Sequence, residues 1–274
     1  MALRDILVHT DSTALCEKRM KLALKIAKDH DACITALFAQ ATSRSRRPSK
    51  DDQKKHNKLS EKCLKQCLSL TEKAGIKLNW ETAPLPRAKD RVTDQLVHFA
   101  QHMDMVVVGQ YDEKSDAGTV PHDMSERLVL ESGRPVLIIP YAGDFKAIGK
   151  RVVAAWSTGR ESVRAINDAI PLMQNAKKVK VIAVNPGKPG KRHGKIPSAD
   201  ITQHLVRHGI KAEADHFSGK GVDEGNILLN YLADNSADLL VMGAYGHHRF
   251  RELVLGGVTQ VVIEHMTVPV LMSH

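Results

Sequence analysis

The chain has 274 residues, 42% of them apolar and 26% charged. That length suits two domains or one large one, and the composition excludes wholesale disorder and a collagen-like fibre. The formal charge is +9, and two short segments carry all of the excess: residues 44–58, with seven Lys/Arg against two Asp, and residues 186–195, with four Lys/Arg and no acid. Neither segment holds an aromatic side chain on which a base could stack, so the pattern reads as two basic loops on a neutral body, and nucleic acid is not an expected partner. No apolar run reaches the roughly 18–20 residues that cross a bilayer. The first eight residues enter a strand-like run without signal-peptide anatomy, so a cytoplasmic protein is expected.

In chain order, strands are expected near residues 4–9, 33–39, 76–82, 104–109 and 135–139. Between the second and third, Leu59, Cys63, Cys67, Leu70 and Ala74 form one helical stripe closed by Gly75. The four cysteines, at 16, 33, 63 and 67, lack the second pair a zinc site needs and read as small buried apolar residues. After a short joint at 141–146 the alternation resumes. A strand over 151–156 precedes a helix over 161–176 with Val163, Ile166, Ala169, Ile170 and Met173 on one face. A β-branched strand follows over 178–184, then the basic loop, a helix from about Ser198 to His208, and a strand over 210–217. A helix over 222–235, a strand over 238–243, a helix over 256–266 and a last strand over 268–273 complete the chain.

The second half repeats the first. Residues 109–139 align with 243–273 at an offset of 134: Gly109 matches Gly243, Tyr111 matches Tyr245, and Pro135-Val136-Leu137 matches Pro269-Val270-Leu271. Asp104 matches Asp238, and the strand at Asp5 corresponds to that at Arg151. The chain is a tandem duplication with domains at 1–143 and 149–274. Alternating strand and helix predicts, in each, an α/β doubly wound, open, parallel five-stranded sheet of order 3-2-1-4-5. A ligand crevice then opens at the carboxyl ends of strands 1 and 4, where the winding reverses.

The residues expected at that crevice are unequal in the two halves. In the second, Gly243, Gly246, Gly256 and Gly257 follow the pattern Gly-x2-Gly-x9-Gly-Gly. Gly243 and Gly246 suit a sharp turn and close approach to a ligand. Gly256 and Gly257 open a helix whose first N–H groups suit an anion, most simply a phosphate. Thr259 offers a hydroxyl and Arg249 a cation for the same group.

These residues, with the closing strands 134–139 and 268–272 and the run Val153–Glu161, resemble a tandem universal stress protein over nearly the whole chain. The resemblance implies the adenine nucleotide alpha hydrolase-like fold and ATP, with or without magnesium, in the second domain. Adenine would lie near the ends of strands 1 and 2, at Ser157 and Val184. The phosphates would lie on Gly243, Gly246, Arg249, Gly256, Gly257, Val258 and Thr259. It also implies a role in stress response, and dimerisation through the closing strands, here as an intramolecular pseudo-dimer with a possible homodimer.

The sequence departs from the family pattern in three places. Gly257 replaces a Ser or Thr. Ser157 stands where the family has an Asp facing the nucleotide; the first half keeps that residue as Asp11. The first half replaces Gly246, Gly256 and Gly257 with Asp112, His122 and Asp123, and an acid at 123 should repel a triphosphate. No residue is placed as a general base for hydrolysis, so a non-enzymatic protein is expected. His122, His247, His248, His265 and His274 read as exposed histidines rather than metal ligands. Two rival readings remain open: an interaction protein free of nucleotide, and a binder of another small ligand in the first-half crevice.

Overall fold

The structure, a computed structural model, describes residues 2–40, 47–86, 91–114, 120–185, 198–219, 223–246 and 257–274. The chain divides into two compact units, Ala2–Lys146 and Ala147–His274. The first contains β1 (Asp5–Thr10), α1 (Ala14–His30), β2 (Cys33–Phe38), α2 (Lys50–Ala74), β3 (Leu78–Thr82), α3 (Val92–Ala100), β4 (Met105–Gly109), α4 (Met124–Glu131) and β5 (Val136–Ile139). The second contains β6 (Arg151–Ala155), α5 (Arg160–Met173), β7 (Lys178–Val184), α6 (Ala199–Arg207), β8 (Ala212–Phe217), α7 (Glu224–Asp234), β9 (Leu239–Gly243), α8 (Gly257–His265) and β10 (Val270–Ser273).

Every strand pairing within each unit is parallel. The order is β3-β2-β1-β4-β5 in the first and β8-β7-β6-β9-β10 in the second. Both are the doubly wound order expected from the alternation. The central strands read as nearly unbroken apolar runs, Ile-Leu-Val in β1 and Val-Val-Val in β4, because helices cover both faces of a parallel sheet. Ile6, Leu7, Val8, Val106, Val107 and Val108 are all fully buried.

The matching aspartates of the repeat have one structural job. Asp104 Oδ2 accepts hydrogen bonds from the backbone N–H groups of Arg4 (2.7 Å) and Asp5 (3.0 Å). Asp238 Oδ1 accepts from Gly149 (2.8 Å) and Lys150 (3.0 Å). In each unit a carboxylate ahead of the fourth strand satisfies the donors that start the first.

Three local expectations shift. Residues 50–58 of the first basic segment are helical: Ser49 Oγ accepts from Asp52 N–H (3.1 Å) while Asp52 Oδ2 accepts from Ser49 N–H (2.8 Å), a capping box that starts α2 at Lys50. Arg44 and Arg46, and the whole of the second segment 186–195, lie outside the described residues. The buried stripe of α2 is His56, Ser60, Cys63, Cys67 and Thr71, rotated from the apolar reading, because the sheet below offers acceptors such as the Ala83 carbonyl to His56 Nε2 (2.9 Å). On α5, Val163 is 43% exposed while Ile166, Ala169 and Met173 are buried.

Candidate functional site

In the second unit the register brings three strand ends level. Ala155 pairs with Ile182 on one side and Met242 on the other. Just past those ends lies a cleft of about 420 Å³. Its floor is Ala155, Ile182 and Met242, and α7 closes one side with Leu228 and Glu224. The described sequence-predicted residues all line it: Ser157, Val184, Gly243, Gly246, Gly257, Val258 and Thr259. Arg249 and Gly256, with His247 and His248, lie outside the described residues.

The glycines serve different ends. A Cβ on Gly243 would stand 2.5 Å from the carbonyl carbon of Glu161 and the nitrogen of Ser162. Gly243 is therefore required first by the close approach of the α5 N-terminus, a packing role the sequence reading assigned to ligand approach. A Cβ on Gly246 would meet Glu161 Oε2 at 3.2 Å. A Cβ on Gly257 would meet nothing within 4 Å among the described residues. Between the glycines Tyr245 adopts φ +61°, a left-handed backbone that a tyrosine takes only when its surroundings impose it.

Side chains that the glycine spacing does not reveal complete the cleft. Trp156 follows β6 and lines the cleft, its backbone N–H donating to the Ile182 carbonyl at 2.8 Å. Ser157 and Ser162 share a hydroxyl–hydroxyl bond of 2.7 Å, and Ser157 N–H donates to Ser162 Oγ at 3.2 Å. Glu161, 7% exposed, does not itself line the cleft; it lies against Gly246 and is paired to Arg160 Nε at 3.2 Å. Trp156, Ser157 and Glu161 belong to the run Val153–Glu161 that carries the resemblance; the only signal for Ser162 in sequence is its position at the first turn of a helix.

The corresponding place in the first unit is built differently. Asp11, the counterpart of the acid that faces the nucleotide in the family pattern, is buried and bonded to Arg19 Nη2 at 2.8 Å. Arg19 Nε also donates to the His9 carbonyl at 2.7 Å. Asp11 Oδ1 accepts from Thr13 N–H at 2.8 Å and from the Thr13 hydroxyl. Burial pushes the Asp11 carboxyl up, but the Arg19 guanidinium, with His9 and the Thr13 donors, overcomes it and holds the group at about 2. The residue is thus part of a structural ion pair, because α1 supplies Arg19, which the sequence does not single out. Asp123 caps the approach to α4, where Gly257 opens α8, and it pairs with Arg91 Nη1 at 2.9 Å. Asp112 accepts from Lys114 N–H at 3.0 Å, and His122 is exposed with its ring edge-on to Tyr111. His265 is exposed at the end of α8, whereas His274 is half-buried, with Nδ1 3.0 Å from the Ala244 carbonyl oxygen. Among the described residues no group of three or more His, Cys, Asp or Glu is arranged to hold a metal ion.

Residues 150–274 match the family model described as the universal stress protein family. The second half of the chain is a universal stress protein domain. Universal stress protein Slr1230 of Synechocystis sp. is 27% identical over 234 residues, covering 77% of this chain and 78% of that protein, an alignment too long to fit within one half. A universal stress protein from Archaeoglobus fulgidus shares the fold at a TM-score of 0.77 and 18% identity, covering 98% of this chain and 95% of that one. A putative universal stress protein from Pseudomonas aeruginosa does so at a TM-score of 0.62 and 17% identity, covering 99% and 93%. The α/β fold is that of universal stress proteins across the chain. No helix among the described residues is long and apolar enough to cross a membrane.

Proposed function

We propose that the universal stress protein domain of the second half binds an adenine nucleotide, ATP with magnesium, and that the first half binds none. The carrying observation is the 420 Å³ cleft, lined by all seven of the described residues that the family pattern assigns to the ligand. Its size lies within the usual range for small-molecule sites. Ile182, Val184, Leu228 and Met242 offer an apolar slot for a base, and Trp156 an aromatic face. Gly257 and the first turn of α8 offer backbone N–H groups and the positive end of a helix dipole to phosphate oxygens.

Glu161 favours the magnesium form. Its carboxylate lies beside Gly246, on the phosphate side of the cleft, and a bare triphosphate there would meet like charge. Magnesium is bound by one or two carboxylates together with substrate phosphates, so Glu161 and Glu224 are the residues that would face it. Occupancy would alter the surface that the second half offers to other proteins. In this reading the chain is a nucleotide-responsive protein in stress response and not an enzyme, and phosphate release from ATP stays at the level of the protein-free control.

Calorimetry of the full chain with Mg-ATP tests the reading, using Gly257→Asp as its control. Among the described residues nothing lies within 4 Å of a Cβ at Gly257, so the variant should fold. A carboxylate about 5 Å from a phosphate opposes it by about 2 kcal/mol after partial screening, so affinity should fall about 30-fold. No heat with the unaltered chain would overturn the reading and leave an interaction protein free of nucleotide.

A further inference from the structure

We propose that Cys16 and Cys63, in the first half, form a hydroperoxide-sensitive thiol pair that closes to a disulfide between α1 and α2. The two sulfurs lie 4.0 Å apart, buried, and both are free. A disulfide needs about 2.05 Å between sulfurs, so the pair must close by about 2 Å, within reach of side-chain rotation on two adjacent helices. Cys67 lies one turn further along α2 and is buried in the same cluster.

The surroundings make the two thiols unequal. Cys16 sits in the first turn of α1, a helix of 17 residues. The Asp11 backbone N–H donates to its sulfur at 3.5 Å. Arg19 follows one turn later on the same helix. Hydrogen bonds from Cys63 and Cys67, with the Arg19 charge, hold the Cys16 thiol well below the ordinary thiol range, against its burial. Cys63 Sγ instead lies 3.4 Å from the Asp11 carbonyl oxygen, an acceptor that favours the protonated thiol. Its hydrogen bonds to Cys16 and Cys67 push it up, and burial adds to them. The Asp11 N–H and the Arg19 charge favour Cys16 as the attacking sulfur, although the Asp11 carboxylate opposes them, and Cys63, held against the Asp11 carbonyl, is the thiol that resolves it.

Access exists on one side. A cavity of about 120 Å³ is lined by Cys63 with Ser12, Thr13, Glu17, Lys62 and Gln66; Cys16 does not line it, and its sulfur lies 4.0 Å from that of Cys63, so a hydroperoxide reaches Cys16 from the Cys63 side. A water occupies about 30 Å³, so a molecule the size of hydrogen peroxide fits. The step balances as follows. The Cys16 thiolate attacks one peroxide oxygen, the O–O bond breaks, and the departing alkoxide or hydroxide takes up a proton, leaving Cys16 sulfenic acid. The Cys63 sulfur then attacks the Cys16 sulfur as its thiol proton leaves with the sulfenic oxygen, forming the S–S bond and water. Two thiols are oxidised to one disulfide, and the hydroperoxide is reduced to an alcohol, or to water, with a second water released.

The test uses the full chain, hydrogen peroxide as probe, alkylation of remaining thiols and mass mapping of the peptides. The expected result is a loss of two hydrogens, a fall from four alkylatable thiols to two, and a linked peptide joining Cys16 to Cys63. Cys33→Ser should leave that link unchanged, and Cys63→Ser should arrest oxidation at a dimedone-trappable sulfenic acid on Cys16. Retention of all four thiols, oxidation confined to Cys33, or a link between Cys63 and Cys67 would overturn the proposal. Because the unaltered chain carries the decisive measurement, a poorly folding variant does not blunt it.

Discussion

Gly109 lies directly against Arg19: a Cβ on the glycine would stand 2.6 Å from guanidinium Nη1. The bare backbone at the end of β4 makes room for a cation that reaches across to Asp11 and the His9 carbonyl at the end of β1. The crevice of the first half is therefore occupied at its strand ends by a buried ion pair. In the second half Ser157 and Ala165 stand where Asp11 and Arg19 stand in the first, and the cleft above them is open.

Alanine at the motif glycines should sort them by what they touch. Gly243→Ala meets backbone at 2.5 Å and should destabilise the protein by about 1–3 kcal/mol. Gly109→Ala should cost a similar amount, since Arg19 cannot withdraw without breaking a buried pair. Gly257→Ala meets nothing and should move the urea midpoint little. Equal effects at all three positions in urea unfolding would contradict this ordering.

Removing one partner of the Asp11–Arg19 pair should cost more. The side chains are 0% and 2% exposed. Arg19→Met leaves Asp11 buried beside Cys16 without its cation, and breaking such a pair typically destabilises by about 3–5 kcal/mol. Arg19→Met with Asp11→Asn, which removes both charges, should recover much of the loss. A double-mutant cycle in urea measures the difference.

The duplicated fold could be read from sequence because parallel strands covered on both faces leave long apolar runs, and because Asp104 and Asp238 cap the same donors in each half. The glycine spacing also pointed to the cleft at the end of β9. What could not be read was the role of polar groups decided by a distant partner. Asp11 looks the same in sequence whether it faces a ligand or Arg19. Gly243 looks the same whether a phosphate or the α5 backbone approaches it. Glu161 ends the run Val153–Glu161 that carries the resemblance, but nothing in that run shows that its carboxylate lies against Gly246. The capping box at Ser49 was legible in principle, but its third residue is Asp rather than the commoner Glu, and the basic charge around it read as a loop.

Acid should weaken the fold in two stages. His9 and His56 are held below the ordinary histidine range by burial. Groups so lowered contribute stability above about pH 6.5 that fades as pH falls below it. Asp11, held at about 2, contributes fully above its unfolded value near 4 and loses that contribution as pH falls towards 2. The second loss is about 2 kcal/mol. Urea midpoints between pH 7 and pH 2 should fall along this course, and Asp11→Asn should flatten the portion below pH 4 although its stability is lower throughout.

Glu161 sets an expectation for the metal. If the phosphates of a nucleotide lie beside Gly246, removing magnesium with a chelator should weaken ATP binding severalfold in the unaltered chain. Glu161→Gln should bind metal-free ATP better than the unaltered chain does, since the like charge is gone. Trp156 in the cleft gives a fluorescence readout for both titrations. Identical affinities with and without magnesium in both proteins would place the phosphates elsewhere.

The final expectation concerns the silent half. Asp123 holds the position of Gly257 and pairs with Arg91. If that acid alone kept nucleotide out, Asp123→Gly would restore a second site. The strand ends argue otherwise: Arg19 and Asp11 fill the crevice whatever stands at 123, and the pair is buried too tightly to swing aside at low cost. Native mass spectrometry with Mg-ATP should therefore find one nucleotide per chain in both the unaltered protein and Asp123→Gly, and a second equivalent in the variant would show that the ion pair is not the barrier.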